Sequence, residues 1–352
     1  MSKLTINHVR IAGLSACVPS KVEENIGLPI FKDTKEAEKV INSTGIIRRH
    51  IAEEGVTSSD LAVKAVEKLL EDLHWEKDSI DCLAFVSQTR DFIAPQTSCI
   101  LQDRLGLSNK CFVMDLPFGC SGFVHGISVV AALLQNGNLK RALMINAETN
   151  SKNRNKNDRS VRPLFGDAAT VTALEYSPTA KPINFVFGVD GSGYQAIWTK
   201  YGGMRFPTTP ESLQEEELEP GVIRKGTDMI VNGMDVFAFA ISRPPKSIKE
   251  LIETFSIDMD TIDYLVLHQA NKFIDEKIRK ALKVDSSKVP YSLDEYGNVT
   301  SASIPLTLVA RCQKELTTRT NHCIASGFGI GLAWASMELY IEHAVCSDIV
   351  VY

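Results

Sequence analysis

Short apolar runs of strand length alternate with helical segments along the first half of the chain. The runs that read as strands span residues 82–87, 111–116 and 142–147. A helix is predicted over residues 97–105, and another contains Phe123, Ile127, Val130 and Leu134 at i, i+4, i+7 and i+11. Short apolar strands between helices are typical of parallel β-α-β units with both sheet faces covered. The pattern therefore predicts an α/β fold.

The second half of the chain repeats this layout. Strands are predicted at residues 264–267 and 322–326, and helices at 271–282 and 304–313. A further helix begins near Asp235 and is predicted to break at Pro244 and Pro245, because proline lacks the amide donor of a helix interior. A length of 352 residues fits two fused halves, which we place at 1–175 and 176–352.

The segment between the halves, residues 191–225, reads as irregular. Its acidic run at residues 215–219 is interpreted as a solvated loop with no assigned function.

Charge and hydropathy exclude several classes of function. The net charge is −5, and no basic patch with interleaved aromatic residues is present, so we expect no nucleic-acid partner. The apolar runs fall far short of the roughly 20 residues that cross a bilayer. Residues 1–18 alternate like a strand and lack the apolar core of a signal peptide. We expect a cytoplasmic protein with no membrane association.

One of the eight cysteines lies in a distinctive context. Cys120, in LPFGCSGF, is predicted to follow a strand and precede a helix, and Gly119 and Gly122 permit a tight turn there. The unpaired amides and positive dipole end of a helix start favour thiolate over a thiol whose usual pKa is near 8.5. Cys120 is therefore the predicted nucleophile. The cysteines show no CxxC or zinc-ligand spacing, so no metal site is predicted.

His268 and Asn298 have matching contexts in the second half. His268 ends a predicted strand in YLVLHQAN, and side chains at such strand ends line ligand crevices. Asn298 follows Gly297 in EYGNVTSASIP. A malonyl thioester that loses CO₂ becomes an enolate, and an imidazole and an amide could donate hydrogen bonds to its oxygen. The alternate glycines of residues 327–331 could likewise turn amides toward a ligand, although a structural turn is equally consistent with them.

The chain resembles β-ketoacyl-acyl-carrier-protein synthase III, of the thiolase superfamily, over nearly its whole length. The motifs that carry the resemblance are GLSACVPSKVEEN, TGI at 44–46, TSSDLAVKAVEKLL, GCSGF, LFGDAAT, HQAN, GNVTSASIP and GFGIGLAWA. The resemblance implies a thiolase-like αβαβα five-layer fold made of two pseudo-equivalent halves, and a homodimer. It also implies a decarboxylating Claisen condensation of an acyl-CoA primer with malonyl-acyl-carrier protein, giving 3-oxoacyl-carrier protein, with no further cofactor.

The same resemblance assigns residues by motif position. Cys120 is implied as nucleophile, and His268 and Asn298 as the pair that stabilises the carbanion. The main-chain amides of Cys120 and Ile330 are implied as the oxyanion hole. Arg159 matches an arginine near the CoA adenine, and Asn271 matches a residue that supports the pantetheine channel.

Five positions depart from the family pattern. Lys39 replaces a tryptophan that stacks on adenine, and Ser43 replaces an arginine. Ala94 replaces a phenylalanine that walls the acyl pocket, which predicts acyl chains longer than acetyl. Ala238 and Phe273 replace basic residues that contact the carrier protein, although Lys272, Lys277, Arg279 and Lys280 remain nearby. The chemistry is therefore expected to be retained, while these positions leave the CoA contacts, the acyl length and the partner open.

Other functions remain open from the residues. A thiolase would use a second cysteine, for which Cys323 is the candidate. An acyltransferase could pass the Cys120-bound acyl group to an oxygen or nitrogen acceptor. A non-catalytic carrier-protein-binding subunit is disfavoured by the intact Cys120, His268 and Asn298. A papain-like hydrolase is disfavoured by the α/β pattern and the lack of a CGSCW-like segment.

Overall fold

The computed structural model describes all 352 residues, arranged as eighteen strands and eight α-helices. The strands are β1 (Ser2–Ile6), β2 (Val9–Val18), β3 (Val22–Glu24), β4 (Arg48–His50), β5 (Cys82–Val86), β6 (Phe112–Leu116), β7 (Arg141–Thr149), β8 (Asp167–Tyr176), β9 (Ile183–Val189), β10 (Ile197–Thr199), β11 (Glu216–Glu219), β12 (Val222–Arg224), β13 (Met229–Val231), β14 (Tyr264–Leu267), β15 (Thr320–Gly329), β16 (Ala333–Glu342), β17 (Val345–Cys346) and β18 (Val350–Val351). The helices are α1 (Thr34–Thr44), α2 (Ser58–Leu73), α3 (Thr97–Arg104), α4 (Gly122–Leu134), α5 (Gly233–Phe255), α6 (Lys272–Leu282), α7 (Leu293–Tyr296) and α8 (Ser303–Thr318).

Two mixed sheets form the frame. The larger has the order β17-β2-β8-β7-β5-β6, with β18 also on β2, and the smaller has the order β1-β9-β16-β15-β14. The predicted parallel pairing is confirmed where β5 lies between β6 and β7, and where β14 pairs with β15. The other large pairings are antiparallel. Strands from the chain ends exchange between the halves: β1 joins the smaller sheet, and β17 and β18 join the larger one.

Helices cover both faces of each sheet and create three hydrophobic cores. The central core packs α4 and α8 between the two sheets. A second core holds α2 and α3 against the outer face of the larger sheet. A third holds α5 and α6 against the outer face of the smaller sheet. The layers are therefore α-β-α-β-α, as predicted.

Helix α5 contradicts the predicted break at Pro244 and Pro245, since it continues without interruption through both prolines. The two prolines are buried in its packed face, together with Phe239, Ile248 and Leu251. This face contacts β16, β9 and β15. Burial of the face outweighs the loss of two amide donors, each interior proline costing roughly 3 kcal/mol.

The acidic run was wrongly predicted as a loop. Residues Glu216–Glu219 form β11, which pairs antiparallel with β12. All four residues are exposed, so the prediction that this segment is solvated is confirmed. Main-chain hydrogen bonds to β12 give the segment its strand structure. No helix of the chain combines the length and the apolarity that crossing a membrane would require.

Candidate active site

Cys120 lies in the turn between β6 and α4. Strand β6 ends at Leu116 and α4 begins at Gly122, so the predicted strand-turn-helix context is confirmed. A Cβ on Gly119 would lie 2.5 Å from Oε1 of Gln88, so a larger residue there would have to displace the end of that side chain. The half-buried Cys120 lines a cavity of about 510 Å³.

The glycine-rich segment of the second half meets this turn. Gly327 and Gly329 belong to β15, so the strand predicted to end at residue 326 continues to Gly329, and Ile330 and Gly331 lie in the turn that follows. A Cβ on Gly327 would lie 2.8 Å from Cα of Ser121 and 2.9 Å from the carbonyl oxygen of Cys120. The alternate glycines therefore let the two halves touch beside the sulfur. The Ile330 amide that follows them hydrogen-bonds to the Cys120 sulfur, as does the Cys120 amide.

His268 follows the last residue of β14 and is 2% exposed. Its ring packs edge-on against Phe328, with ring centroids 5.5 Å apart. Burial lowers the pKa of His268 to about 3, against the opposing effect of a hydrogen bond to the Thr300 main chain. The imidazole is therefore neutral at physiological pH, and its Nδ1 has no hydrogen-bond partner in the chain.

Asn298 is held in one orientation by the main chain around it. The Thr300 amide donates to Oδ1 of Asn298 at 2.9 Å, and this donor identifies the oxygen of the carboxamide. Its Nδ2 makes no hydrogen bond within the chain, and Asn298 lines the same cavity as Cys120 and His268. Gly297 is required because its φ of 67° is left-handed and a Cβ would lie 2.8 Å from the Leu164 carbonyl oxygen.

The structure thus brings Cys120, His268 and Asn298 to the wall of one cavity. Two kinds of group meet there: a thiol with two main-chain amides beside it, and two neutral side chains with polar nitrogens. No cluster of three or more His, Cys, Asp or Glu side chains is arranged to hold a metal ion.

Glu148 is a neighbour of this site that the sequence reasoning missed. It lies near the end of β7, is fully buried, and accepts hydrogen bonds from the Gln88 amide, Thr89 Oγ1 at 2.9 Å and Ser301 Oγ at 3.0 Å. Burial raises the pKa of Glu148 to about 7 despite these donors. Its place after an apolar strand run was the available signal, since strand ends line crevices.

Thr300 was also missed, and it connects the catalytic candidates. Besides its contacts with Asn298 and His268, its Oγ1 accepts a hydrogen bond from Nδ2 of Asn150 at 2.9 Å. Its φ of 46° is left-handed, which is unusual for a β-branched residue. Nothing in the sequence marks that backbone conformation.

The protonation of Cys120 differs from the sequence-based expectation. Burial, followed by the charge of Glu148, raises the pKa of Cys120 to about 12, although Arg154 and the two amides act in the opposite direction. The helix start therefore does not make Cys120 a thiolate at neutral pH. Desolvation of a charged sulfur outweighs the favourable dipole in this buried turn.

The remaining predicted substrate residues lie in two places. Asn271 lines the cavity, and its side chain caps α6 by accepting from the Ile274 amide at 2.9 Å. Arg159 is exposed, pairs with Glu36 at 3.2 Å and does not line the cavity. Ala94 lies in an exposed turn outside the cavity of its own chain.

The departures from the family pattern are all exposed. Lys39 and Ser43 lie on α1, and Ala238 on α5. Phe273 is 52% exposed and stacks on Phe237, with ring centroids 5.7 Å apart. Cys323, the second cysteine that a thiolase would need, is 1% exposed in the central core and does not line the cavity.

Comparison with known proteins agrees with this geometry. The family described as 3-oxoacyl-[acyl-carrier-protein (ACP)] synthase III matches residues 114–191, and its C-terminal part matches residues 252–341. The chain is 33% identical to the β-ketoacyl-[acyl-carrier-protein] synthase III of Caldanaerobacter subterraneus, over 93% of this chain and 96% of that protein. The chain belongs to the 3-oxoacyl-[acyl-carrier-protein] synthase III family.

Further relatives support the same assignment. The β-ketoacyl-[acyl-carrier-protein] synthase III of Streptococcus agalactiae is 34% identical, over 94% of this chain and 99% of that protein. The crystal structure of a 3-oxoacyl-(acyl-carrier protein) synthase from Burkholderia xenovorans superposes with a TM-score of 0.93 at 34% identity, covering 100% of this chain and 99% of the other. The chain is thus a condensing enzyme with the thiolase-like fold.

Proposed function

We propose that this enzyme transfers the acyl group of an acyl-CoA to Cys120 and then condenses it with malonyl-acyl-carrier protein. The observation that carries the proposal is the single cavity lined by Cys120, His268 and Asn298. Its walls are mostly apolar, contributed by residues such as Phe165, Val231 and Phe239. Such a lining suits the thioester arm of a carrier.

In the first half-reaction, Sγ of Cys120 attacks the thioester carbonyl of the primer. The new carbon–sulfur bond forms as the bond to CoA breaks, and the proton of the Cys120 thiol ends on the sulfur of released CoA. The Cys120 and Ile330 amides hydrogen-bond to the sulfur, beside the place where the carbonyl oxygen of the acyl group would become negative in the tetrahedral intermediate. We assign them as the oxyanion hole.

In the second half-reaction, the malonyl thioester loses CO₂ and its C2 attacks the acyl carbonyl on Cys120. The electron pair left by CO₂ is held as an enolate, whose oxygen needs hydrogen-bond donors. A neutral imidazole and a carboxamide each carry an N–H that can donate a hydrogen bond to the enolate oxygen. The lowered pKa of His268 and the unpaired Nδ2 of Asn298 fit these roles. The bond between the acyl carbon and Sγ of Cys120 then breaks as the 3-oxoacyl product forms, and the departing sulfur takes a proton from solvent.

The carrier protein is proposed to dock beside α6. Lys272, Lys277 and Lys280 are exposed on this helix, whose Asn271 cap and Ile274 line the cavity. A positive surface at the cavity entrance favours an acidic partner. The exposed Phe273 beside these lysines adds an apolar contact.

A homodimer is proposed through the edge of the larger sheet. Strand β6 pairs only with β5, yet its sequence FVMDL is apolar and its Phe112 is 50% exposed. Phe92 and Ile93, in the turn that holds Ala94, are 58% and 77% exposed. An uncovered apolar edge favours pairing with a second copy.

We place the enzyme in the cytoplasm, since its eight cysteines are all free.

Intact-mass measurement after incubation with acyl-CoA, followed by malonyl-carrier protein, tests the proposal. We expect an acyl adduct on the wild type that disappears with CO₂ release when the second substrate is added. Cys120→Ala should show no adduct, while Cys99→Ala, which removes an exposed cysteine away from the cavity, should behave as wild type. A normal adduct on Cys120→Ala, or turnover without CO₂ release, would refute the assignment.

A further inference from the structure

A buried arginine lines the Cys120 cavity. Arg154 lies five residues after the end of β7 and is 6% exposed. Its charge lowers the pKa of Cys120, and the charges of Glu148 and Cys120 raise the pKa of Arg154, so the three groups lie close together. The carbon of its guanidinium lies 4.3 Å above the ring of Phe165, which also lines the cavity. The side chain is therefore fixed against the wall.

Only one edge of this guanidinium is occupied. Nη1 donates to the main-chain and side-chain oxygens of Asn153. Nε and Nη2 are buried and have no hydrogen-bond partner. Two unfilled donors on a buried cation are costly, so a native structure that keeps them needs an explanation.

The unfilled edge has the shape that binds a carboxylate. Nε and Nη2 point the same way, and together they match the two oxygens of a carboxylate. The chain itself shows this pairing elsewhere: Nε and Nη2 of Arg279 donate to the two oxygens of Glu276 at 2.9 and 2.8 Å.

No carboxylate of the chain occupies the edge of Arg154. Glu148 is the carboxylate whose charge acts most strongly on Arg154. Its oxygens accept hydrogen bonds from Gln88, Thr89 and Ser301 instead. Burial lowers the pKa of Arg154 to about 10, which still leaves it protonated at neutral pH. Arg154 therefore places a positive charge in a wall shared by the Cys120 cavity and a second cavity that also contains Arg162, and its two unpaired donors lie buried in that wall.

We propose, building on the function above, that the primer is an acyl thioester with a carboxylate at its far end, and that Arg154 selects it. The thioester carbonyl reacts at Cys120 as described, and the second carboxylate remains unchanged while it fills Nε and Nη2 of Arg154. Arg154 is thus a specificity residue for a dicarboxylic acyl group.

The carboxylate of the malonyl group is a poorer occupant. That carboxylate must leave as CO₂, and an ion pair would stabilise it in the ground state more than in the transition state. Such binding slows the step. A carboxylate that stays on the substrate benefits from the ion pair throughout both half-reactions.

The test compares primers of equal chain length. Succinyl-CoA is paired with butyryl-CoA, and glutaryl-CoA with valeryl-CoA, and acylation of Cys120 is timed by intact mass. We expect the wild type to favour at least one dicarboxylic primer over its partner by roughly 10- to 100-fold in kcat/KM, the range for a charge-assisted bidentate pair. Arg154→Met should abolish or reverse this preference.

A matched control uses a nearby arginine whose two terminal nitrogens both have partners. Arg162 donates to the Lys156 carbonyl at 2.7 Å and to Glu23 at 3.5 Å, and it does not line the Cys120 cavity. Arg162→Met should keep the wild-type preference. Because the wild-type comparison needs no variant, the proposal stays testable even if Arg154→Met fails to fold.

Three results would overturn the inference. One is a wild type that loads butyryl and valeryl groups at least as fast as succinyl and glutaryl groups, which leaves the condensing function intact. Another is an Arg154→Met variant that keeps the primer preference but releases CO₂ more slowly from malonyl-carrier protein. The third is a Cys120 that no acyl-CoA labels, which would reject the proposed function as well.

Discussion

Gly329 passes so close to Cys120 that a Cβ on the glycine would lie 2.8 Å from the sulfur and 2.7 Å from the cysteine Cβ. These two residues belong to different halves of the molecule, β15 and the turn before α4. Cys120, the proposed nucleophile, is therefore held in place by backbone from the opposite half. Gly329 could not gain a methyl group without moving Cys120 or the strand that carries the glycine.

Gly329→Ala should impair acylation of Cys120. The added methyl group must displace the sulfur or the strand, and overpacking of this kind typically costs about 1–3 kcal/mol of stability. We expect acylation to slow by roughly 10- to 100-fold if the sulfur moves by as little as an ångström. Stopped-flow release of CoA and thermal unfolding measure the two effects.

Gly191→Ala is the matched control, because a Cβ at Gly191 meets no atom within 4 Å. It should match the wild type in both measurements. Normal acylation by Gly329→Ala would show that the turn around Cys120 accommodates a methyl group.

His268→Ala should separate the two half-reactions. A neutral imidazole serves as a donor to the enolate and is not needed to load Cys120, so acyl transfer from CoA should continue. Loss of one such donor typically slows the supported step by about 10²–10³-fold. Labelled CO₂ released from malonyl-carrier protein reports the second step. Equal loss of both half-reactions would instead point to a role for His268 in activating the thiol.

Asn298→Asp tests the amide donor with little change in shape. The new carboxylate keeps the acceptor for the Thr300 amide at 2.9 Å but loses the Nδ2 donor and brings a negative charge toward the enolate. We expect decarboxylation to fall by at least about 10²-fold. Intact-mass acylation should proceed, and retained CO₂ release by this variant would contradict the assigned role.

The reactivity of Cys120 should rise with pH throughout the neutral range. Because its pKa is raised to about 12, the thiolate is a minor species at pH 7, and its fraction grows about tenfold per pH unit. Alkylation of Cys120 by iodoacetamide, followed by peptide mass spectrometry, should therefore accelerate from pH 7 to 9 without a plateau. A plateau below pH 8 would mean that the helix start outweighs burial.

The sequence and the structure agree best on local features. The predicted strands at 82–87 and 264–267 differ from β5 and β14 by at most one residue, since apolar runs bounded by polar residues mark buried strands well. The helix α5 was wrongly interrupted at Pro244, because the local cost of proline is visible in sequence while the packing that offsets it is not. The acidic strand β11 was missed for the same reason, since its partner β12 is needed to define it.

The amino-acid sequence by itself determined which residue types stand after β6, β14 and α7, namely Cys120, His268 and Asn298, with glycines where the backbone must turn or approach closely. Their motifs were sufficient for the family and the reaction. Only the tertiary structure decided how they are protonated and what surrounds them, because desolvation and hydrogen bonding depend on groups far apart in the chain. Glu148 hydrogen-bonds to Ser301, more than a hundred positions away, and Arg154 lines the cavity with its Nε and Nη2 unpaired; the sequence shows neither the buried contact nor the unpaired donors.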